Sequence, residues 1–149
     1  MWSSDRHGAP RLWIVLVSIL LAFATGETRA ELLIATARDG AVEALSRDEA
    51  EQLYLGRRAT LAARTPLLLL DLPPGESRDQ FYRLLTGKNP SQIRAYWSRM
   101  VFTGRALPPK EAADASDARR LLLENPGAIG YLPSHYANDP SLRILLHLE

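Results

Sequence analysis

The strongest constraint on the fold is a regular alternation of short apolar segments with amphipathic segments that carry helix-capping residues. The apolar segments have the length and the leucine-rich or β-branched character of strands. They are Glu31–Thr36, Pro66–Leu70, Ala128–Leu132 and Leu142–Leu146. Four helices lie between them, which gives the order β, α, β, α, α, α, β, β. Strands interleaved with helices predict an α/β fold, a layered sheet flanked by helices with right-handed crossovers.

Capping residues predict where the first three helices begin. The pairs with the spacing of a capping box are Ser46 with Glu49, Ser77 with Gln80 and Asn89 with Gln92. A glycine follows each helix, where a left-handed residue ends it; these are Gly56, Gly87 and Gly104. Helical spacing predicts one buried face on the third helix, formed by Ile93, Trp97, Met100 and Val101. Leu107–Lys110, with two prolines, is predicted to be an extended linker.

The first thirty residues have the pattern of an export signal. Arg6 and Arg11 precede the apolar run Leu12–Ala24, and Thr28 and Ala30 are small residues at the −3 and −1 positions of a cleavage site. A positive flank, an apolar stretch of roughly 7–15 residues and such a site are typical of a secretory signal peptide. We expect cleavage after Ala30 and a periplasmic or secreted protein. The alternative is an uncleaved anchor, and this segment is the only membrane contact that the sequence suggests.

The rest of the chain, residues 31–149, is long enough for one domain. Cleavage removes three of the 18 basic residues and two of the 17 acidic residues, which leaves 15 of each. This balance gives no reason to expect nucleic acid binding. Arg57 and Arg58 are interpreted as solvated charges, with a phosphate contact as the alternative. A second basic stretch has only a modest excess of basic residues and no exposed aromatic ladder between them, and it consists of Lys88, Arg94, Arg99 and Arg105.

Few residues could carry catalysis or bind a metal. The chain has no cysteine, so disulfides, thiolate metal sites and a cysteine nucleophile are excluded. His135 and His147 have no second ligand at a metal-binding spacing, and no serine nucleophile motif is present. We therefore predict a noncatalytic protein without a cofactor or metal.

One loop has the features of an anion site. Residues 71–77 follow an apolar strand and open a helix, so the free N–H groups of the first helical turn face the loop and attract anions. The amides near Gly75, the hydroxyl of Ser77 and the guanidinium of Arg78 could all donate to such an anion. The alternative is that Ser77 only caps its helix and that Arg78 is solvated. Glu76 and Asp79 lie beside the loop and would repel an anion.

The motifs resemble those of phosphate ABC transporter substrate-binding proteins. The resembling segments extend over nearly all of residues 31–149, and they are Leu45–Ala50, Leu53–Arg57, Leu67–Asp71 with Ser77 and Phe81, Ala95–Arg99, Phe102–Arg105 and Asn125–Tyr131. The resemblance implies the fold of one lobe of a type 2 periplasmic binding protein. It also implies that a serine, a threonine and an arginine of the loop would hold phosphate between two lobes.

Several positions differ from that pattern. Ser77 matches the loop serine, but Asp71 stands where the arginine is expected, and Arg78 and Asp79 replace a glycine and the threonine. Residues 31–149 also supply only one lobe. Anion binding would therefore require a concave site into which Arg78 points while Asp71 and Asp79 turn away.

The resemblance implies an exported, noncatalytic binding protein. It would bind phosphate or another small anion weakly at the helix N-terminus formed by Gly75, Ser77 and Arg78. The alternative is an envelope interaction module that keeps the fold without the ligand and contacts an envelope or membrane protein. The contact surface would then be the sheet edge or the segment Gly104–Lys110.

Overall fold

A computed structural model describes residues 31–61 and 67–149. The predicted signal peptide and Pro66 lie outside the described residues. The elements are, in chain order, β1 (Leu32–Ala37), α1 (Arg47–Tyr54), β2 (Leu68–Asp71), α2 (Glu76–Thr86), α3 (Pro90–Phe102), β3 (Lys110–Glu111), α4 (Ala115–Glu124), β4 (Ala128–Pro133), a 3-10 turn (Ser134–Tyr136) and β5 (Leu142–Leu148). Within these ranges no helix is both long and apolar enough to cross a bilayer.

The strands form one mixed sheet in the order β3-β2-β4-β1-β5. β2 is parallel to both of its neighbours, with Leu68 opposite Ala128 of β4. β1 is antiparallel to both of its neighbours, with Leu32 opposite Leu148 of β5. The first and last strands of the described chain are therefore adjacent, and the predicted layered α/β fold is confirmed.

Helices cover both faces of the sheet. A Cβ atom added at Gly130 would lie 3.4 Å from a side-chain carbon of Leu122 in α4. The ring of the next residue, Tyr131, stacks on Phe81 of α2 at a centroid distance of 3.6 Å. Because successive residues of a strand point to opposite faces, α4 covers one face and α2 the other. The end of β2 thus lies beneath α2.

Two of the three predicted capping boxes form. Ser46 Oγ accepts the Glu49 N–H at 3.2 Å, and Asn89 Oδ1 accepts the Gln92 N–H at 2.9 Å. The predicted glycine stops also form, with positive φ angles of 64° at Gly56, 70° at Gly87 and 66° at Gly104. These ends depend on neighbouring residues only, which is why the sequence predicts them.

The predicted capping box at Ser77 is wrong. The N-cap of α2 is Gly75, whose carbonyl oxygen accepts the Asp79 N–H at 3.0 Å. Ser77 therefore lies inside the first turn, where its hydroxyl cannot take the N-cap position. Among the described residues, no side-chain hydrogen bond caps this helix. The first turn of α2 keeps free N–H groups at the end of β2.

The predicted linker is partly a strand. Lys110 and Glu111 form β3, which pairs in parallel with Leu70 and Asp71 of β2. Two exposed charged residues carry none of the apolar pattern that indicates a strand. β3 forms because its backbone pairs with that of β2, and the local sequence does not indicate this pairing.

The buried face of α3 is shorter than predicted. Ile93 and Trp97 are buried, but Val101 is 47% exposed and Phe102 is 92% exposed. Leu107, in the segment that follows the helix, is 80% exposed. The end of α3 and the next few residues therefore present apolar side chains to solvent.

Candidate functional site

The carboxylate of Asp71 is buried at the end of β2. Only 2% of this residue is exposed. The Tyr131 hydroxyl donates to its Oδ1 at 2.5 Å, and the Tyr82 hydroxyl donates to its Oδ2 at 3.0 Å. The Leu72 N–H in turn donates to the Tyr131 hydroxyl at 3.1 Å. A buried charge is tolerated only when it is hydrogen-bonded and paired, and this network supplies the hydrogen bonds.

Arg78 supplies the opposite charge. Its Nε lies 3.2 Å from Asp71 Oδ2, and its Nη1 lies 3.5 Å from Glu111 Oε2. The guanidinium also lies 5.9 Å from the centre of the Tyr82 ring, within cation–π range. Arg78 thus points inward, as an anion site would require, but it points toward Asp71. The other condition, that Asp71 turns away, is not met.

Burial determines how these groups titrate. It raises the pKa of the Asp71 carboxyl, while the hydrogen bond from Tyr131 and the charge of Arg78 act in the opposite direction. Burial and the negative charge of Asp71 raise the pKa of the Tyr82 and Tyr131 hydroxyls as well. Both tyrosines therefore stay protonated and remain donors to Asp71.

The other two predicted site residues share the same turn. Gly75 is exposed at the N-cap of α2, and Ser77 is half-buried in its first turn. In the described part of the chain the Ser77 hydroxyl has no hydrogen-bond partner. The structure therefore brings Gly75, Ser77 and Arg78 together, with Glu76 and Asp79 as acidic residues of the same turn.

A groove of about 660 Å³ lies between the first turn of α2 and α3. Its walls are formed by Pro74, Arg78, Asp79, Tyr82, Pro90, Ile93, Arg94, Trp97, Ser98, Val101, Phe102 and Pro108. This volume is typical of ligand pockets, and most of the lining is apolar. The Trp97 indole forms part of the wall, and its N–H is buried without a hydrogen-bond acceptor in the described ranges. We refer to this hollow as the α2–α3 groove.

The groove residues offer apolar contact and charge. Residues 31–61 and 67–149 contain no group of three histidine or acidic side chains that could hold a metal ion. Asp71 accepts hydrogen bonds from Tyr82 and Tyr131 and pairs with Arg78. What the groove presents is an apolar wall with charged residues at one end.

Sequence reasoning missed both tyrosines of the Asp71 network. Tyr82 follows the core residue Phe81, and Tyr131 is the last residue of the resembling segment Asn125–Tyr131. Asp71 lies 60 residues before Tyr131. Only the placement of β4 beside β2 brings these two side chains together, and no local signal indicates it. The one available sign of a buried polar site was Asp71, a charged residue at the end of a leucine-rich strand.

Comparison with family models finds no match, and comparison with curated proteins finds none either. Solved structures do match. One is described as a phosphate ABC transporter substrate-binding protein with bound phosphate from Clostridium perfringens, with 17% identity and a TM-score of 0.60. Another is an ABC-type phosphate transport receptor from Vibrio cholerae, with 16% identity and a TM-score of 0.60. A third is described as a possible phosphate binding protein from Planctomyces limnophilus, with 13% identity and a TM-score of 0.56.

The matches cover 78% of this chain and 45%, 46% and 41% of the respective structures. The chain therefore spans less than half the length of each of these proteins. At such identities the similarity establishes the fold. It confirms the prediction of a fold like one lobe of phosphate ABC transporter substrate-binding proteins.

Proposed function

We propose that this protein is an exported, noncatalytic binding module that contacts a protein partner in the cell envelope through the α2–α3 groove and the end of α3. It does not enclose a small solute. The observation that carries the proposal is the ion pair between Asp71 and Arg78, 3.2 Å apart. The Asp71 carboxylate already pairs with the Arg78 guanidinium that a bound anion would need.

The charges around Arg78 argue against strong anion binding. Its side chain is 21% exposed, and it lies between the buried Asp71 and the exposed Glu111. Glu76 and Asp79 are in the same helical turn. An anion arriving there would have to separate Arg78 from Asp71 and leave a buried carboxylate without its charged partner. Breaking a buried pair in this way costs several kcal/mol, about 3–5 in measured cases.

The exposed apolar side chains support a macromolecular partner. Phe102 is 92% exposed and Val101 is 47% exposed, and both line the α2–α3 groove. Contiguous exposed apolar groups beside a concave surface are typical of interaction sites. The proteins of similar fold are described as binding or receptor proteins, which is consistent with a role without catalysis.

Weak anion binding at α2 is a second candidate. Its support comes from the described ranges, where the first turn of α2 has no side-chain cap and the Ser77 hydroxyl has no hydrogen-bond partner. One protein of similar fold is also described with bound phosphate. In this version Gly75, Ser77 and Arg78 would contact phosphate or another small anion.

Calorimetry separates the two candidates. The chain is expressed with residues 1–30 in a bacterial host and recovered from the periplasm, where a mass corresponding to residues 31–149 would support export and cleavage. We expect no heat on titration with phosphate or sulfate up to millimolar concentration. Heat that disappears in Ser77→Ala but persists in Ser98→Ala would favour the anion site instead.

Cross-linking in intact cells tests the interaction surface. A photoreactive amino acid replaces Phe102 in one variant and Leu123 in a control variant. Leu123 is the matched position, because it is an exposed apolar residue at 36% exposure on α4, which covers the opposite face of the sheet. We expect a discrete protein adduct from position 102 only. Adducts from neither position, or equally from both, would contradict the proposed function.

A further inference from the structure

The arginines of the described chain fall into two groups by their partners. The arginines outside residues 80–110 each contact a carboxylate or a carbonyl oxygen, and they are Arg38, Arg47, Arg57, Arg58, Arg78, Arg119, Arg120 and Arg143. The arginines inside that stretch are Arg83, Arg94, Arg99 and Arg105. None of these four guanidinium groups has a hydrogen bond or ion pair with any described residue. The unpaired arginines are thus concentrated in α2, α3 and the segment after α3.

The same stretch has no acidic residue. From Gln80 to Lys110 inclusive, the chain carries six basic residues and no Asp or Glu. Residues 31–149 as a whole have equal numbers of acidic and basic residues. The positive charge of this region is therefore local, and it attracts a partner of opposite charge even though the module is neutral overall.

Three arginines surround a second, smaller hollow. This hollow, of about 280 Å³, is lined by Arg57, Tyr96, Arg99, Met100 and Arg105, with no carboxylate among the lining residues. We call it the arginine hollow. Among the residues that the structure describes, the Arg57 side chain has one charged partner, Glu51, at a distance of 3.9 Å and on the surface. Exposed pairs of this kind are weak, so Arg57 is free to take another partner.

Tight backbone packing brings these arginines together. A Cβ atom at Gly56 would lie 2.8 Å from the Ala106 Cβ and 3.0 Å from the Trp97 ring. The end of α1 therefore touches both α3 and the segment after it. Arg57 follows Gly56 and Arg105 precedes Ala106. The contact between Gly56 and Ala106 therefore brings both arginines to the hollow that Arg99 also lines.

We propose that the arginine hollow binds acidic side chains of the protein partner, while an adjacent apolar side chain of the same segment enters the α2–α3 groove. This proposal rests on the proposed function and specifies the partner's chemistry. Arginine offers a planar fork of donors that matches the two oxygens of a carboxylate. Trp97 lines the groove and Tyr96 and Arg99 line the hollow, so the two sites flank α3. A peptide can fill two neighbouring concave sites, whereas a flat bilayer cannot, and a small anion would leave the groove empty.

The test uses the periplasmically recovered protein and a short peptide as the probe. The probe is Glu-Glu-Leu-Glu-Glu with blocked ends, and the control peptide replaces each glutamate with glutamine. Trp97 is the only tryptophan of residues 31–149, so its fluorescence reports on the groove. Backbone amide shifts of Arg57, Arg99 and Arg105 report on the hollow. We expect both signals to respond to the acidic probe, and binding to weaken as salt is raised.

Charge reversal gives the decisive comparison. We expect Arg99→Glu with Arg105→Glu to weaken probe binding about tenfold or more, because like charges then face each other. Arg83→Glu is the matched control, since it reverses an unpaired arginine of the same stretch outside the hollow, and it should change binding less than about twofold. Both variants alter exposed residues, so circular dichroism should show unchanged folding.

Three outcomes would overturn this proposal. They are equal binding by the double variant, equal amide shifts with inorganic phosphate alone, and stronger binding to phosphatidylglycerol vesicles than to the probe. The second would assign the hollow to a small anion and the third to a lipid surface. In each case a protein adduct from position 102 would leave the proposed function standing, so the two failures are distinguishable.

Discussion

At the scale of single residues, Asp71 combines two opposing effects. Burial makes its charged form costly, while Tyr131, Tyr82 and Arg78 stabilise that form. The balance is a raised pKa for the Asp71 carboxyl. In an unfolded chain an aspartate has a pKa of about 3.9. The folded protein therefore holds this proton to a higher pH than the unfolded chain does.

We predict a specific pH dependence from this difference. Because the folded state binds the proton more tightly, the contribution of Asp71 to stability is greatest below pH ~3.9 and declines as the pH rises toward its raised pKa. Asp71→Asn cannot titrate. The free energy of unfolding of the wild type, minus that of Asp71→Asn, should thus fall over this window and then level off. Urea unfolding at several pH values measures it, and a rise of one in the pKa corresponds to about 1.4 kcal/mol.

Asp139 provides the control with the opposite sign. The hydrogen bond from Arg119 lowers the pKa of the Asp139 carboxyl. Its contribution is therefore present above the unfolded pKa and is lost as the pH falls, so the same difference measured with Asp139→Asn should rise with pH. A difference that also rises for Asp71→Asn would mean that the ion pair with Arg78 outweighs burial.

The candidate site could be predicted only in part. Gly75, Ser77 and Arg78 are consecutive or nearly so, and local sequence correctly places them at the start of a helix that follows a strand. The partner of Arg78 could not be predicted, because the alternative of a solvated side chain fits the same pattern. Its pairing depends on the burial of Asp71, which the tertiary fold produces.

At the scale of elements, a sequence with the spacing of a capping box does not always form the cap. Ser46 accepts the Glu49 N–H, and the Glu49 side chain accepts the Ser46 N–H at 3.0 Å. Ser77, with an equivalent local sequence, caps nothing because the chain turns into the helix earlier, at Gly75. Sequence spacing alone does not tell these two serines apart.

Alanine substitution should distinguish the two serines. Ser46→Ala removes a cap and should lower the free energy of unfolding by about 1 kcal/mol. Ser77→Ala should change it by less than about 0.5 kcal/mol, as for other positions away from caps and the core. Thermal or urea unfolding gives both values under identical conditions. A loss of unfolding free energy at Ser77 as large as that at Ser46 would indicate that Ser77 caps α2, as the sequence predicts.

Gly56 sets the geometry between α1 and the segment after α3. It has a positive φ of 64°, and a Cβ there would overlap the Ala106 Cβ at 2.8 Å. Gly87 has a similar φ of 70°, but apart from its chain neighbours no atom of the described residues contacts a Cβ added there within 4 Å. Both glycines therefore need a left-handed backbone, but only Gly56 lacks room for a side chain.

We predict that Gly56→Ala destabilises the protein more than Gly87→Ala. Both substitutions place a residue with a Cβ in the left-handed conformation, which costs about 1–2 kcal/mol. Gly56→Ala should add about 1–3 kcal/mol for overpacking against Ala106 and Trp97. Chemical unfolding measures the difference, and Trp97 fluorescence should shift only in the Gly56 variant. Equal losses of stability in the two variants would show that Ala106 and Trp97 accommodate a Cβ at residue 56 without a cost in free energy.

At the scale of the whole molecule, the fold closes by pairing its first and last described strands. β1 lies between β4 and β5, and Leu32 and Leu33 face Leu148 and His147 across the β1–β5 ladder. Interleaved strand and helix signals predicted the fold class, but not this strand order. Pairing over more than a hundred residues leaves no local trace, and neither does the charged strand β3 at the opposite edge.

The closing strand supplies the last prediction. Leu148 is fully buried, whereas His147 beside it is exposed with only a 3.4 Å contact to Glu31. Leu148→Ala should cost about 2–5 kcal/mol, as for other buried leucines, and His147→Ala less than about 0.5 kcal/mol. Because β5 pairs with β1, the loss at Leu148 should also speed amide exchange in Leu33 and Ile34. If exchange accelerates only within β5, the two strands open independently, and the sheet is not the single cooperative unit that its strand order implies.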